Sequence, residues 1–165
     1  LLDFSSFEAG AAPIQKELVD LSHLVGEATR QLKASPEFSG VRFEPDLPVE
    51  PLWVKGDGGR LRQIVFNLFN NSQKASATLI KINLLAEARL VVLDVWDNGK
   101  GIASEDRPYI FERFYRGDRS RARERGGAGL GLTIAKGIME AHGGTITVES
   151  SLGAGTVFTL LFPVR

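Results

Sequence analysis

The chain has 165 residues, with 20 Lys and Arg balanced by 20 Asp and Glu, and it has no cysteine. This length is sufficient for one domain with its own core and short for two. The absence of cysteine excludes disulfides and thiolate metal sites. A formal net charge of zero argues against a nucleic-acid-binding protein, which normally carries a basic excess. No apolar run approaches the roughly 20 residues that a membrane-spanning helix needs.

Caps, glycines and apolar spacing predict the secondary structure. In chain order we expect the end of a helix at Leu1–Gly10, a helix from the cap Asp20 to Lys33, strands at Val41–Glu44 and Leu52–Val54, a helix at Gly59–Ala75 capped by Asp57, a hairpin of strands at Leu79–Leu85 and Leu90–Trp96, an irregular region at Asp97–Gly129, a helix at Gly131–His142, and strands at Thr145–Glu149 and Thr156–Phe162. The strands occur in pairs, and each of the three helices has an apolar face to bury. This combination predicts a two-layer α/β sandwich.

A stripe of polar side chains runs along the helix at Gly59–Ala75, beside its apolar face. Spaced by four, four and three residues, it consists of Gln63, Asn67, Asn71 and Lys74. A solvated helix face usually carries Glu, Lys and Arg instead, and Asn is a poor helix former. Amide oxygens suit Mg²⁺ when a triphosphate supplies most of the other ligands, and a lysine beside them can reach phosphate. The stripe therefore predicts a site for Mg²⁺ and a triphosphate.

An acidic residue and two glycines follow an apolar strand, in the segment Asp97-Asn98-Gly99-Lys100-Gly101. A carboxylate at a strand end can accept a hydrogen bond from the exocyclic amino group of adenine, which guanine lacks at that position. The glycines permit close approach of the backbone to the base. A simple Asp-Asn-Gly turn accounts for these residues equally well, so both interpretations stand at this point.

Alternating glycines open the last predicted helix, in the segment Gly127-Ala128-Gly129-Leu130-Gly131-Leu132. Such glycines expose backbone amides to phosphate at a helix N-terminus, where the helix dipole adds to the attraction. The spacing is Gly-x-Gly-x-Gly and no βαβ unit precedes it, so the dinucleotide-binding fingerprint does not apply. The chain also lacks the Gly-x-x-x-x-Gly-Lys-Ser/Thr phosphate loop.

Aromatic and arginine residues alternate at Phe111–Arg116, and an arginine-rich run follows as far as Arg125. One interpretation is a solvated loop. The other is a mobile lid, in which the first arginines, Arg113 and Arg116, neutralise phosphate while Phe111 and Phe114 anchor the base of the lid.

In this order, the segments resemble the catalytic ATP-binding domain of sensor histidine kinases, in the superfamily shared with gyrase, Hsp90 and MutL. The corresponding motifs are the N box at Asn67–Lys74, the G1 box at Asp97–Gly101, the F box at Phe111–Arg116, the G2 box at Gly127–Leu132 and the closing glycine turn at Gly153–Thr156. The resemblance covers about residues 15–165. Its F box separates histidine kinases from the gyrase-like relatives.

The resemblance implies the Bergerat fold, a two-layer α/β sandwich whose mixed, mostly antiparallel sheet is covered on one face by about three helices. Residues 13–165 would form the catalytic ATP-binding domain. Residues 1–12 would be the end of the preceding dimerisation and phosphoacceptor helix hairpin. The domain would bind ATP with Mg²⁺ and transfer the γ-phosphoryl group to a histidine on that hairpin, which makes it part of a protein-histidine kinase.

The resemblance also assigns roles to individual residues. Asn71 would bind Mg²⁺ together with the ATP phosphates, Asn67 would support it in catalysis, and Asp97 would read the adenine amino group. Arg113 and Arg116 would act in catalysis, the latter at the terminal phosphates. The other ATP-binding residues would be Lys74, Gly99, Gly101, Ile102, Tyr115, Gly127, Gly129, Leu130, Gly131, Leu132 and Thr156.

Two features depart from the family pattern. Ala75 follows the N-box lysine, where the family often has an aromatic residue, and the phosphoacceptor motif is absent. The only histidines are His23 and His142. The second fits a helix C-terminus, where an imidazolium interacts favourably with the helix dipole, and both are interpreted as structural rather than chemical. A nucleotide-binding switch without phosphotransfer is therefore the alternative function, favoured by Ala75 alone. A gyrase-type ATP hydrolase would need a catalytic Glu where Asn67 stands.

The resemblance implies two protein partners. These are the parent's own phosphoacceptor domain and the receiver domain of a response regulator. We expect a cytoplasmic domain that contacts neither nucleic acid nor membrane directly. The sequence leaves open the stimulus and whether the parent is anchored in a membrane.

Overall fold

A computed structural model describes residues 13–112 and 131–164, in which three α-helices and seven strands are present. Their bounds are β1 Glu17–Asp20, α1 Leu21–Lys33, β2 Arg42–Asp46, β3 Trp53–Gly56, α2 Gly58–Lys74, β4 Leu79–Glu87, β5 Leu90–Asp97, α3 Gly131–Ala141, β6 Thr145–Ser150 and β7 Thr156–Pro163. Short 3₁₀ turns occupy Pro36–Phe38 and Arg107–Tyr109. The other three predicted helices and the β4–β5 hairpin are confirmed to within two residues at each end, whereas the predicted helix end at Leu1–Gly10 lies outside the described residues.

Five of the strands form the main sheet, in the order β2-β4-β5-β7-β6. β2 runs parallel to β4, and the other three pairings are antiparallel. Burial alternates along β5, where Val91, Leu93 and Val95 face the core, as expected for a sheet covered on one side. The predicted mixed, mostly antiparallel sheet is therefore confirmed.

The helices cover one face of this sheet. Helical spacing predicts buried residues that the structure confirms, namely Leu61, Ile64, Val65, Leu68 and Ser72 on α2 and Ile134, Ala135, Ile138 and Met139 on α3. Phe69 of α2 is buried in addition. The opposite face carries polar contacts, such as the Thr159 hydroxyl that donates to Asp94 at 2.6 Å and the Lys81 ammonium 5.2 Å from the Trp96 ring centroid. This is the predicted two-layer α/β sandwich. None of the helices in the described ranges has the length and apolarity to span a bilayer.

The sequence does not predict how the strands near the N-terminus pair. β3 pairs with β1, a strand that the sequence does not predict, from Asp20↔Trp53 to Glu17↔Gly56. β2 instead joins the main sheet beside β4. β1 is hard to predict because only Val19 of its four residues is buried and Leu18 is 65% exposed, so no alternation of apolar and polar residues marks it.

Asp57 connects three segments of the chain. Its carboxylate accepts from the backbone N–H of Arg60 in the first turn of α2 at 3.3 Å, which confirms the predicted cap, and from that of Gln15 at 3.0 Å. Its own backbone N–H donates to Nε2 of His142, just beyond α3, at 3.0 Å. The start of α2 and the end of α3 are therefore held together through one residue.

The ring of His142 is neutral and not an imidazolium. Nε2 accepts from Asp57, so Nδ1 carries the proton and donates to the Ile138 carbonyl at 2.8 Å. Burial of the ring, which is 6% exposed, lowers the pKa of His142 below its ordinary value of 6.5. The nearby Lys16 adds to this effect, while the Ile138 carbonyl and Asp57 oppose it. The neutral ring is the form that the fold requires.

This geometry predicts that acid weakens the domain through His142. The unfolded chain binds more protons than the folded one between the lowered folded pKa and the unfolded value near 6.5, so stability is fully present above that range and falls as the pH drops through it. The slope should stay below the ~1.4 kcal/mol per pH unit that one full proton produces.

The measurement is urea unfolding between pH 7.5 and pH 5.5. The control is His142→Gln, which keeps an acceptor and a donor but does not titrate. It should show a flatter pH dependence than the unaltered chain. If the free energy of unfolding had the same pH dependence in both proteins, His142 would not be the group that titrates.

Candidate functional site

Asp97, the last residue of β5, is almost completely buried. Its side chain is 1% exposed. Oδ2 accepts from the Ser72 hydroxyl of α2 at 2.7 Å, and Oδ1 accepts from the backbone N–H of Gly99 at 2.8 Å. A carboxylate has about four acceptor positions, so two donors leave room for more. Helical spacing predicts Ser72 only as a core residue; a hydroxyl in an otherwise apolar core face is the signal that identifies its second role.

The turn after β5 is held by Asn98. Its side-chain oxygen accepts from the backbone N–H groups of Thr78 and Leu79 at 2.8 and 3.0 Å, and its amide donates to the Thr78 hydroxyl at 2.9 Å. The exposed Asn98 thus fastens the turn to β4, while the buried Asp97 points inward. A simple Asp-Asn-Gly turn accounts for Asn98 but not for the buried carboxylate.

Thr156 lies directly opposite Asp97 on the neighbouring strand. The two residues are cross-strand partners in the β5–β7 pairing, so their side chains project from the same face of the sheet. Thr156 is 4% exposed, and its hydroxyl lies 2.9 Å from that of Ser150 at the end of β6. Asp97 and Thr156, which we call the acceptor pair, form one wall of the candidate site. Ser150 could not be predicted as a site residue, since one serine at a strand end has no distinguishing pattern.

Two loops interlock beneath the acceptor pair. Gly101 and Gly155 have φ angles of +82° and +83°, a backbone conformation that side chains disfavour. There is also no space for a Cβ atom, because one on Gly101 would overlap the Ser151 carbonyl and one on Gly155 would overlap the Asp97 carbonyl. The backbone N–H of Gly153 donates to the Lys100 carbonyl at 2.9 Å. The glycine-containing loops at residues 99–101 and 153–155 are therefore in direct contact.

The C-terminus of α2 also reaches this structure. The Ala75 carbonyl accepts from the backbone N–H of Lys100 at 3.0 Å. A Cβ atom on Gly99 would lie 2.8 Å from that carbonyl oxygen and 2.9 Å from the Ala75 side chain. Ala75 is thus a packing contact for the loop that holds Asp97.

One residue of the polar stripe of α2, Asn67, contacts the start of α3. The side-chain amide of Asn67 donates to the Gly131 carbonyl at 3.1 Å, which leaves its oxygen available as an acceptor. The side chains of Asn71 and Lys74, one turn further on, have no hydrogen-bond partner within residues 13–112 and 131–164. No cluster of three His, Cys, Asp or Glu in these ranges has the arrangement of a metal site. An amide oxygen from Asn71 therefore fits Mg²⁺ only with phosphate oxygens as further ligands.

Several predicted site residues lie outside the described ranges, and their roles stay predictions: Arg113, Phe114, Tyr115, Arg116, Gly127, Gly129 and Leu130. Phe111, at the start of the F box, is described. Its ring meets that of Phe158 edge-on at a centroid distance of 6.3 Å, and its carbonyl accepts from the Thr133 hydroxyl of α3 at 2.9 Å. Ile102 and Leu132 pack against the core as partly buried side chains.

A protein family described as histidine kinase-, DNA gyrase B- and HSP90-like ATPases matches residues 56–165. The match includes α2 with its asparagines, Asp97 and Thr156. The chain belongs to this family. Its relatives include sensor histidine kinases, and the prediction that it is the ATP-binding catalytic domain of such a kinase is confirmed.

Three relatives of this histidine kinase-type domain show the extent of the similarity. The probable sensor histidine kinase TcrY of Mycobacterium tuberculosis is 40% identical over 155 residues, which are 92% of this chain and 32% of TcrY. The structure of mycobacterial sensor histidine kinase MprB has a TM-score of 0.76 and 28% identity, with 92% of this chain and 99% of that one covered. Full-length ShkA in complex with AMPPNP has a TM-score of 0.80 and 30% identity, with 98% of this chain and 34% of ShkA covered. The chain therefore spans about a third of the full-length proteins.

Proposed function

We propose that this domain holds Mg-ATP and that its parent transfers the γ-phosphoryl group to a histidine on a separate helix-hairpin domain, as part of a two-component system. The observation that carries the proposal is the buried carboxylate of Asp97, which faces Thr156 at the end of the sheet and retains acceptor capacity. ShkA, which is similar to this chain, was solved in complex with AMPPNP, and this supports a nucleotide as the ligand. In such a system, a response regulator receiver domain would take the phosphoryl group from the histidine.

In this proposal, the described residues contact different parts of Mg-ATP. Asp97 accepts from the adenine amino group, and the interlocked glycine loops hold the strand end that carries it. Asn71 offers its amide oxygen to Mg²⁺, Asn67 holds the start of α3 beside it through Gly131, and Lys74 reaches phosphate. When bound, Mg²⁺ neutralises charge on the phosphate oxygens. Because phosphoryl transfer needs little covalent help from the protein, positioning and charge neutralisation account for catalysis.

The phosphoacceptor is external to this chain in the proposal. In transfer, a histidine nitrogen forms a bond to the γ-phosphorus while the bond to the bridging oxygen breaks, and ADP leaves. His142 is unsuited to this role because both its ring nitrogens already make hydrogen bonds. His23 lies on α1 and is paired at 3.8 Å with Glu27, in a segment without the acceptor motif.

The alternative, a nucleotide-binding switch without phosphotransfer, is not favoured. It depends on Ala75, where the family often has an aromatic residue. In this chain Ala75 fits closely against Gly99 and holds Lys100, so a small residue there completes the loop around Asp97. The full-length parent distinguishes the two functions, because the switch would bind ATP and transfer nothing.

The test is transfer between two polypeptides. With γ-labelled Mg-ATP alone, this chain should stay unlabelled, and the parent's helix hairpin, added separately, should acquire acid-labile label. The rate should be low, because the tether that makes the encounter intramolecular is absent. Arg116→Ala should lower the rate if that arginine neutralises charge on the transferred group. Acid-stable label on this chain would mean that the acceptor is wrongly assigned. A hairpin that stays unlabelled at every concentration would support the switch instead.

A further inference from the structure

The Ser150 hydroxyl lies where the interlocked loops and β7 meet. Its oxygen is 2.8 Å from the Gly155 carbonyl oxygen, 2.8 Å from the backbone nitrogen of Ile102 and 2.9 Å from the Thr156 hydroxyl. The main-chain carbonyl of Ser150 accepts from the Arg107 guanidinium at 2.8 Å. One residue therefore joins the loop after Asp97 to the closing glycine turn.

In the contact between the Ser150 and Thr156 hydroxyls, the other hydrogen bonds of Ser150 determine which hydroxyl donates. A carbonyl only accepts, so Ser150 donates its single proton to Gly155; an N–H only donates, so Ser150 accepts from Ile102. Ser150 then has no proton left for its contact with Thr156. The Thr156 hydroxyl must therefore be the donor in that contact, and its oxygen can only accept from any other group.

The acceptor pair thus carries no free donor. Asp97 offers carboxylate oxygens and Thr156 offers lone pairs, and the two residues are neighbours across β5 and β7. Adjacent buried acceptors are costly unless a donor group lies between them. Adenine has an amino group with two N–H donors at its 6-position, whereas hypoxanthine has a carbonyl there and would face acceptors.

We propose that Ser150 is a positioning residue that determines base specificity. It accepts a hydrogen bond from the Thr156 hydroxyl, so that this wall of the site presents only hydrogen-bond acceptors to the base. The inference rests on the proposed function, in which a purine lies against Asp97. Removal of the Ser150 hydroxyl frees the Thr156 proton to turn toward the base. A 6-carbonyl then gains a donor, whereas a 6-amino group can still donate to the Thr156 oxygen.

The probes are ATP and ITP, which differ at the 6-position and in the proton that hypoxanthine carries at N1; ITP lacks the additional 2-amino group of GTP. Calorimetric titration in Mg²⁺ should give a preference for ATP in the unaltered chain. Ser150→Ala should narrow the ATP-to-ITP affinity ratio by about three- to tenfold, the value of one neutral hydrogen bond. Ser150→Thr, which retains a hydroxyl, should restore the ratio.

Two further variants separate specificity from loop structure. Thr147→Ala removes a hydroxyl from the exposed face of the same strand and should leave the ratio unchanged. Thr156→Val removes the acceptor itself while it keeps Ser150, so it should narrow the ratio even if Ser150→Ala folds poorly. In the Thr156→Val background, Ser150→Ala should cause no further change in the ratio.

The possible results separate this inference from the proposed function. Equal weakening of ATP and ITP by Ser150→Ala would show that the hydroxyl only supports the loops, and would overturn the inference alone. A change in the ratio that persists in the Thr156→Val background would also overturn it. An unaltered chain that binds neither nucleotide would overturn the proposed function together with this inference.

Discussion

Asp97→Asn should lower ATP affinity by roughly 10- to 100-fold, the range expected for loss of a hydrogen bond to a charged acceptor. The amide places an N–H₂ donor where the adenine amino group needs an oxygen. The fold should survive, because Gly99 can still donate to the remaining oxygen and the Ser72 hydroxyl can rotate to accept from the new amide. Calorimetric titration with ATP gives the affinity, and thermal unfolding checks the fold.

Asp94→Asn is the matched control for this substitution. Asp94 lies on the same strand, on the opposite face of the sheet, and accepts from the Thr159 hydroxyl at 2.6 Å. The chemical change is identical and the site is remote. ATP affinity should stay at the level of the unaltered chain in this variant. If both variants bound ATP equally well, Asp97 would not be the residue that contacts adenine.

Asn71→Ala should weaken the binding of Mg-ATP by ~10-fold or more, since even indirect partners of a metal are commonly worth that factor. The loss should be confined to the metal-dependent part of binding. In EDTA, the variant and the unaltered chain should bind ATP with similar affinity; in Mg²⁺ they should differ. Titrations under both conditions make the comparison.

The neighbouring Asn70 provides the control for Asn71. Asn70→Ala makes the same change in helix propensity within α2, but Asn70 projects from a different side of the helix than Asn71. It should keep the response to Mg²⁺. If both variants lost the same ATP affinity, or if the loss persisted in EDTA, Asn71 would stabilise the helix and would not bind Mg²⁺.

Local patterns in the sequence predict the helices of this domain well. Asp20 and Asp57 are predicted as caps and accept the expected backbone N–H groups, and apolar spacing identifies the buried faces of α2 and α3. These features depend on residues within one or two helical turns. They can be predicted because the physical cause and the pattern lie in the same short segment.

Pairing and hydrogen bonding between distant segments are harder to predict. β3 pairs with a strand more than 30 residues away in sequence, and nothing in either segment encodes the partner. The roles of Ser72 and Ser150 depend on Asp97 and Thr156, which only the folded sheet brings near them. The protonation state of His142 likewise follows from burial and from Asp57, 85 residues away. Such features are properties of the tertiary structure.

The interlocked loops have an evolutionary consequence. Since the Gly101 and Gly155 backbones leave no room for a side chain against the facing loop, a change in the length or path of either loop needs a compensating change in the other. Mutational drift in this part of the family should therefore be correlated across about 50 residues of sequence. Chimeras that take both loops from one relative should remain functional more often than chimeras that take only one.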